Sequence, residues 1–353
     1  MRRHLGWAGL VAAAALVAAS AMPAGADTDG GRYVQENLVS DQPGMAQLTD
    51  PDLVNAWGMS RSATSPIWVS DNGTDLSTLY TGAVGNPESP VVKIAAVHPM
   101  IAGGAPTGQA NNDTTSFVIP GTTSTARFIF ITESGVLSAW AGGAASTEVG
   151  HTDGAIYKGL ALVHSPSGPM LLGANFHDGT IDVWDGSFNR VDATGLFTDP
   201  KIPSDFAPFN VAEINGKVFV TYAMQDSDRM DDVAGKGNGF IDVYSTSGDL
   251  LQRFAHNGLL NSPWGLTIAP ANFGPFSGDL LVGNFGDGKI HAFDPATGEQ
   301  LGPIRGPDNR PIAIDGLWGL QVGDAVAGGP NAIWFSAGPD EESHGLLGVL
   351  RAG

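Results

Sequence analysis

Past residue 26 the chain reads as a succession of short apolar runs, each bounded by Gly-, Asn- or Asp-rich turns, with no window that sustains helical periodicity. The runs are rich in Val, Ile, Phe, Tyr and Trp, the residues that suit a pleated, half-buried surface. They predict β-strands, and the strands come in a repeating order. A short motif opens each unit: a small or apolar residue, a bulky one, usually Gly, then an aliphatic. It recurs as Ala56-Trp57-Gly58-Met59, Pro106-Thr107-Gly108, Tyr157-Lys158-Gly159-Leu160, Pro208-Phe209-Asn210-Val211, Pro263-Trp264-Gly265-Leu266 and Leu317-Trp318-Gly319-Leu320. Its second positions, 57, 107, 158, 209, 264 and 318, are spaced by 50, 51, 51, 55 and 54 residues.

After each motif a second strand is predicted at Ile67–Ser70, Arg127–Thr132, Met170–Ala174, Lys217–Tyr222, Asp279–Gly283 and Ala332–Ser336. A polar loop follows, then a third strand at Ser77–Thr81, Val136–Trp140, Thr180–Trp184, Phe240–Tyr244, Lys289–Phe293 and Leu346–Leu350. Units of about fifty residues without helices are the signature of a β-propeller. Solenoid repeats run shorter, and immunoglobulin-like domains of ~100 residues would show half as many periods. The expected fold is therefore all-β: a six-bladed propeller with four-stranded blades. Tyr33–Leu38 precedes the first motif and has no blade of its own, so it is expected to pair beside Leu346–Leu350 and close the ring. Otherwise the first and last blades would leave open sheet edges.

Register then predicts a functional face. Each inner strand starts at the end of the disc where the loop between second and third strands lies, so Trp57, Thr107, Lys158, Phe209, Trp264 and Trp318 should ring the channel mouth. Asp71, Asn72, Glu133, Asn175, His177, Asp178, Gln225, Asp226, Asn284, Asp287, Asp340 and His344 should surround them. A one-residue slip would turn any of these outward. Trp57, Phe209, Trp264 and Trp318 serve either as a packed plug or as a stacking platform for sugar rings; with Asn72, Asn175 and Asn284 they are the candidate ligand-binding residues. Lys158 breaks the aromatic pattern. It is either paired by Glu133, His177 or Asp178, or it loses its proton and becomes a base, which makes Lys158, Glu133 and His177 the catalytic candidates.

Charge narrows the partners. Lys and Arg number 17 against 36 Asp and Glu, a net charge of −19. Nucleic acid and anionic membrane both call for a basic surface, so neither is an expected partner. The loop from Gln225 to Asp232 concentrates Asp226, Asp228, Asp231 and Asp232, an oxygen-rich set of the kind that binds Ca²⁺, although it lacks the EF-hand spacing. The alternative is a solvated insertion paired with Arg229 or Lys236. With no Cys there is no disulfide, thiolate metal site or cysteine nucleophile. G-x-S-x-G and P-loop patterns are absent, which leaves nucleophile-elbow hydrolysis and nucleotide binding unsupported.

Arg2-Arg3, the apolar stretch Leu10–Ala19 and the small residues Ala24-Gly25-Ala26 read as a signal peptide cleaved after Ala26. Residues 27–353 would then be one propeller domain, secreted and monomeric, and no other segment is apolar enough to span a bilayer. Cleavage removes Arg2 and Arg3 and no acid, taking the net charge from −19 to −21.

The segment from Pro263-Trp264-Gly265-Leu266 to Asp287-Gly288-Lys289-Ile290 resembles the NHL-type and gluconolactonase/regucalcin-like six-bladed propellers. Leu38-Val39-Ser40-Asp41, Asn55-Ala56-Trp57-Gly58, Trp68-Val69-Ser70-Asp71-Asn72-Gly73, Ala126-Arg127-Phe128-Ile129-Phe130 and Gly283-Asn284-Phe285-Gly286-Asp287-Gly288 resemble an exported bacterial propeller family of uncharacterised function. The resemblance covers nearly the whole mature chain and implies the fold and export. Gluconolactonase-like propellers hold a divalent metal with Glu, Asn and Asp, using Asn-Gly-Leu or Asp-Gly-Leu at inner-strand starts. Here those positions read Trp264-Gly265-Leu266 and Trp318-Gly319-Leu320, without the oxygen ligands. NHL-type lyases with His-bound zinc need three convergent His, whereas the predicted face carries His177 and His344. The leading expectation is a propeller that binds an extracellular ligand, carbohydrate or a cell-envelope component, at its channel mouth. A divalent-cation-dependent hydrolase or lyase on the same face is the alternative, and a protein-interaction scaffold the third.

Overall fold

In the computed structural model, which describes residues 32–85 and 89–353, the strands assemble into six antiparallel blades. The signal-peptide expectation for residues 1–26 lies outside the described residues. The inner strands are Ala56–Ser60, Pro106–Asn111, Tyr157–Ser165, Phe206–Ile214, Pro263–Ile268 and Leu317–Val322, defining blades one to six. Five blades have four strands. The sixth is extended by Tyr33–Ser40, which pairs antiparallel with Leu346–Ala352 (Gln35 opposite Leu350, Ser40 opposite Leu346) and carries the two-residue strand Leu48–Thr49 on its outer edge. The ring is thus closed by the N-terminal strand. Helical structure among the described residues is limited to two single 3₁₀ turns, at Asn72–Thr74 and Gly274–Phe276, and no helix is long and apolar enough to cross a membrane.

Burial is organised between blades. Trp68, Leu79, Phe128, Phe130 and Trp140 form the core between blades one and two, and each other blade pair has a comparable cluster. The closing strand contributes to two of them: Tyr33 enters the core between blades five and six, while Leu38 and Val39 enter the one between blades six and one. Such partitioning follows from geometry, since each twisted sheet has two faces and both are covered by neighbours.

The repeat motif acquires a physical reason at the channel. In every inner strand the ladder register shifts at the motif, between Ala56 and Met59, Pro106 and Gln109, Tyr157 and Gly159, Pro208 and Asn210, Pro263 and Gly265, and Leu317 and Leu320. A bulge re-aims the side chain it carries, and here it directs the second motif residue at the axis. The motif glycine is where one inner strand meets the next. A Cβ on Gly108 would lie 2.2 Å from Leu160 N, and one on Gly58 2.5 Å from Thr107 O. Asn210 replaces Gly in blade four and uses its amide instead, donating from Nδ2 to Trp264 O at 2.8 Å.

Candidate functional site at the channel mouth

All six bulged residues are buried on the axis, Trp57, Thr107, Phe209 and Trp318 at 1% exposure or less, Lys158 at 2% and Trp264 at 5%. The aromatics stack on one another. Trp318 is sandwiched between Trp57 at 3.5 Å and Phe285 at 3.9 Å between ring centroids, and Trp264 meets both tryptophans edge-on. Phe176 and Phe209 complete the plug. Trp264 Nε1 donates to Lys158 O at 2.9 Å, whereas Trp57 Nε1 is buried with no hydrogen-bond partner. In this arrangement the rings spend their faces on each other.

Above the plug stands a polar network centred on Lys158. Its Nζ donates to Glu133 Oε1 at 2.5 Å and Asp231 Oδ1 at 3.0 Å, and lies 5.3 Å from the Trp57 ring centroid. Burial pulls the ammonium down, but attraction to Glu133 and Asp231 outweighs it and holds Lys158 above the usual lysine range. Geometry and charge both favour the paired, protonated lysine over the free base. Asn72 Nδ2 donates to the other Glu133 oxygen at 3.0 Å, and Asn55 Nδ2 donates to Asn72 Oδ1 at 3.2 Å and Glu342 Oε2 at 2.7 Å. Asn55 Oδ1 accepts from Trp318 Nε1 at 3.2 Å, tying the network to the plug.

Glu342 is the unusual member. Burial raises its carboxyl above the ordinary range, with the negative charges of Glu133 and Asp231 adding to the rise and Asn55 and Lys158 opposing it. The backbone that carries it is strained: Asp340, Glu341 and Glu342 have φ of +57°, +53° and +64°, three successive left-handed residues without a glycine. Each costs roughly 1–2 kcal/mol, and such strain persists only where surroundings fix it. Here Asp340 N–H donates to Asp315 Oδ2 at 2.9 Å, Asn55 N–H donates to His344 O at 3.0 Å, and Asn55 itself sits at φ +47°.

The remaining expected residues go elsewhere. Asp231 reaches Lys158, while Asp226 Oδ1 accepts N–H groups of its own loop from Met230 at 2.8 Å and Asp231 at 3.4 Å. Asp228 is exposed. Asp232 turns inward, its Oδ2 sealed from solvent without a hydrogen-bond partner and its carboxyl raised, chiefly by burial. The four aspartates thus face different ways, and among the described residues no group of three or more His, Asp or Glu side chains converges in metal-ligand geometry. His344 Nδ1 lies 2.7 Å from Asp41 Oδ2, locking the end of the closing strand, and His177 Nδ1 is buried without a partner beside the plug residue Phe176. Asn175 donates to Asp178 at 2.9 Å and Asp182 at 3.0 Å within its own blade, and Asn284 donates to Asp287 at 3.2 Å in its own loop and to Leu259 O at 2.7 Å in the connection that precedes its blade. Asp71 is fully buried in blade one, where burial raises its carboxyl and Thr78 N–H donates to it.

Sequence reasoning brought together Lys158, Glu133, Asn72 and Trp57 but passed over Asn55 and Glu342. Asn55 stands two residues before the bulged tryptophan, where Ala105, Ser262 and Gly316 of other blades also have positive φ. An Asn at that repeat position was a readable signal. Glu342 carried none, because it meets Asn55 only through ring closure.

No family model matches the chain. An uncharacterized protein of Acanthamoeba polyphaga mimivirus is 32% identical over 327 residues, covering 89% of this chain and 78% of the viral one. A second from the same virus is 32% identical over 340 residues, covering 89% and 84%. Among solved structures, streptogramin B lyase superposes with a TM-score of 0.53 at 9% identity, over 92% of this chain and 99% of that one. The catalytically inactive virginiamycin B lyase from Staphylococcus aureus with quinupristin does so at 0.53 and 12% identity, over 91% and 99%. At such identities these two share the propeller architecture and nothing finer. The viral sequences are close enough, over enough of both chains, to establish kinship: the chain belongs to the family of these two mimivirus proteins.

Proposed function

We propose that the protein is a secreted ligand-binding propeller that recognises a hydroxyl-rich extracellular molecule, a carbohydrate or cell-envelope component, through the polar network at its channel mouth. The observation that carries this reading is the Lys158–Glu133–Asn72–Asn55–Glu342 chain with Asp231, a continuous run of planar carboxylates and amides around one ammonium. Such groups present donors and acceptors in fixed directions, which suits hydroxyl groups better than it suits an apolar ligand. The stacked plug beneath supplies rigidity rather than a platform. A glycan-array screen followed by calorimetric titration tests it: Glu133→Gln, which removes the charge of a part-exposed acceptor, should weaken the best ligand about tenfold to a hundredfold, the worth of a charge-assisted hydrogen bond, and Lys158→Met, which frees the Glu133 carboxylate from its buried partner, should weaken it as well. Ligand affinity unchanged in both variants would remove the network from recognition. Export belongs to the same reading and rests on residues 1–26; the protein recovered from culture medium should begin at Asp27.

A second reading is favoured by Glu342. A strained carboxyl with a raised pKa, next to a lysine that stays charged, has the makings of a general acid for hydrolysis or elimination. A panel of lactones, esters and glycosides separates the two readings. An enzyme would turn one over, and Glu342→Gln would abolish the alkaline limb of its pH profile.

A further inference from the structure

The loop that carries Glu342 into the channel mouth is a turn held at both ends. Residues 338–344 curl on themselves through Glu342 N–H to Gly338 O, Ser343 N–H to Asp340 O and His344 N–H to Pro339 O, each at 3.2 Å. The left-handed run from Asp340 to Glu342 lies where non-glycine residues are disfavoured, so the turn relaxes unless its ends are fixed. One end is fixed by Asp315 Oδ2, which accepts from Asp340 N–H, and by Gly338 N–H, which donates to Gly316 O at 2.9 Å. The other end is fixed from the closing strand, by Asp41 immediately after Ser40.

Asp41 accepts with both oxygens. Its Oδ1 takes the N–H of Gly345 at 2.9 Å, and its Oδ2 lies 2.7 Å from His344 Nδ1, which must carry the hydrogen in this contact because an ionised carboxylate only accepts. The carbonyl of the same His344 accepts from Asn55 N–H at 3.0 Å. Asn55 is thus gripped twice by the loop, through its backbone N–H by His344 and through its side-chain amide by Glu342. It passes the constraint on to Asn72 and to the Trp318 indole, each at 3.2 Å. A continuous run of hydrogen-bonded residues therefore leads from the closing strand to the buried ammonium: Asp41, His344, Asn55, Asn72, Glu133 and Lys158.

We propose that Asp41 and His344 are positioning residues of the channel-mouth site, which act by setting where Asn55 and Glu342 stand. The closing strand then has two roles: its apolar side chains seal the ring, and the carboxylate at its end aligns the network. What the alignment is for rests on the recognition reading above, but the alignment itself is testable without a ligand.

The readout is the Trp318 indole N–H, buried and donating to Asn55 Oδ1, followed by two-dimensional NMR of the isotope-labelled mature protein and assigned by its loss in Trp318→Phe. Asp41→Asn keeps the shape of the side chain but turns one of its two acceptors into a donor, so either Gly345 N–H or His344 loses its partner. His344→Leu cuts the same link from the other side. Each should shift the Trp318 signal and speed its exchange with solvent about tenfold or more, the equilibrium worth of one charge-assisted hydrogen bond. Leu38→Ala separates positioning from clasping: it weakens the packing of the same strand in the core between blades six and one but leaves Asp41 in place. It should lower Tm and leave the Trp318 signal where it is. Thermal melting identifies the variants that are folded. A Trp318 signal unmoved in folded Asp41→Asn or His344→Leu would overturn the proposal, as would an equal shift in Leu38→Ala, which would make the effect a general loosening of the seam. Failure here leaves the glycan-binding prediction standing, and a failed glycan screen leaves the alignment standing.

Discussion

Deleting residues 27–41, so that the mature chain starts at Gln42, removes the strand that closes the ring. Tyr33, Leu38 and Val39 are each buried to 1% exposure or less, in two different inter-blade cores. At roughly 2 kcal/mol for each fully buried side chain, their loss costs about 6 kcal/mol. The deletion also removes the Tyr33 hydroxyl's bond to Phe273 O at 2.9 Å, the Asp41 contacts to His344 and Gly345, and the backbone pairing that covers Leu346–Ala352. With an unfolding entropy of ~0.7 kcal/mol/K for a domain this size, 6 kcal/mol corresponds to about 9 °C in Tm. The exposed edge should also promote association. Calorimetric melting of the mature and truncated chains measures the shift, and light scattering reads the association. A synthetic peptide of residues 27–41 added in trans should restore part of the loss, because anything that binds only the folded state raises its midpoint. A truncated chain that melts with the full one, and ignores the peptide, would refute the closure argument.

Three further outcomes follow from the axis and the blades. Gly108→Ala should lower Tm by about 4 °C or more, since its Cβ would fall on the backbone of Leu160 and Gly159 and overpacking of that kind costs about 3 kcal/mol; a melt unchanged from wild type would mean the inner strands are free to spread. Trp318→Ala should cost about 3–5 kcal/mol in denaturant titrations as its stack with Trp57 and Phe285 is lost, and loss of ligand without loss of stability would restore the open-platform reading. Asp242, buried in blade four near Asp199, is pushed up to about 7, mainly by burial, against the pull of Arg253 and Tyr244. Between its unfolded value near ~4 and its folded one, the native state holds a proton that the unfolded chain releases, so this group's stabilisation is present at low pH and lost as pH rises through that window. Asp242→Asn should therefore gain relative to wild type between pH ~4.5 and ~7.5 in thermal melts; a difference independent of pH would contradict the assignment.

Composition and spacing alone determined the architecture. The six motif copies fixed blade number, and the alternation of apolar runs with Asp-Gly and Asn-Gly turns located second and third strands to within a few residues, because strand burial and turn chemistry are local properties of the chain. The ring closure by Tyr33–Ser40 was legible for a topological reason: an apolar strand without a blade, facing a last blade one strand short. That Lys158, Glu133 and Asn72 would meet was legible too, since loop order fixes the end of the disc on which each loop lies.

What each of those side chains touches was decided by the tertiary structure. The bulge in every inner strand sets which motif residue meets the axis, and a local sequence does not announce a one-residue register shift. Only around the closed ring do Trp57 and Trp318, from the first and last blades, stack and become a plug. Lys158 acquires its charge state from Glu133 one blade before and Asp231 one blade after, and Glu342 reaches Asn55 across the seam between blade six and blade one. These are contacts between residues separated by tens to hundreds of positions, made by convergence on an axis, and no spacing within a single blade encodes them. The hollow of about 320 Å³ on the inner strands has the same origin: Met59, Leu160, Val211, Leu266 and Leu320 are ordinary strand residues in the sequence, and they line one volume only because the inner strands converge on the axis.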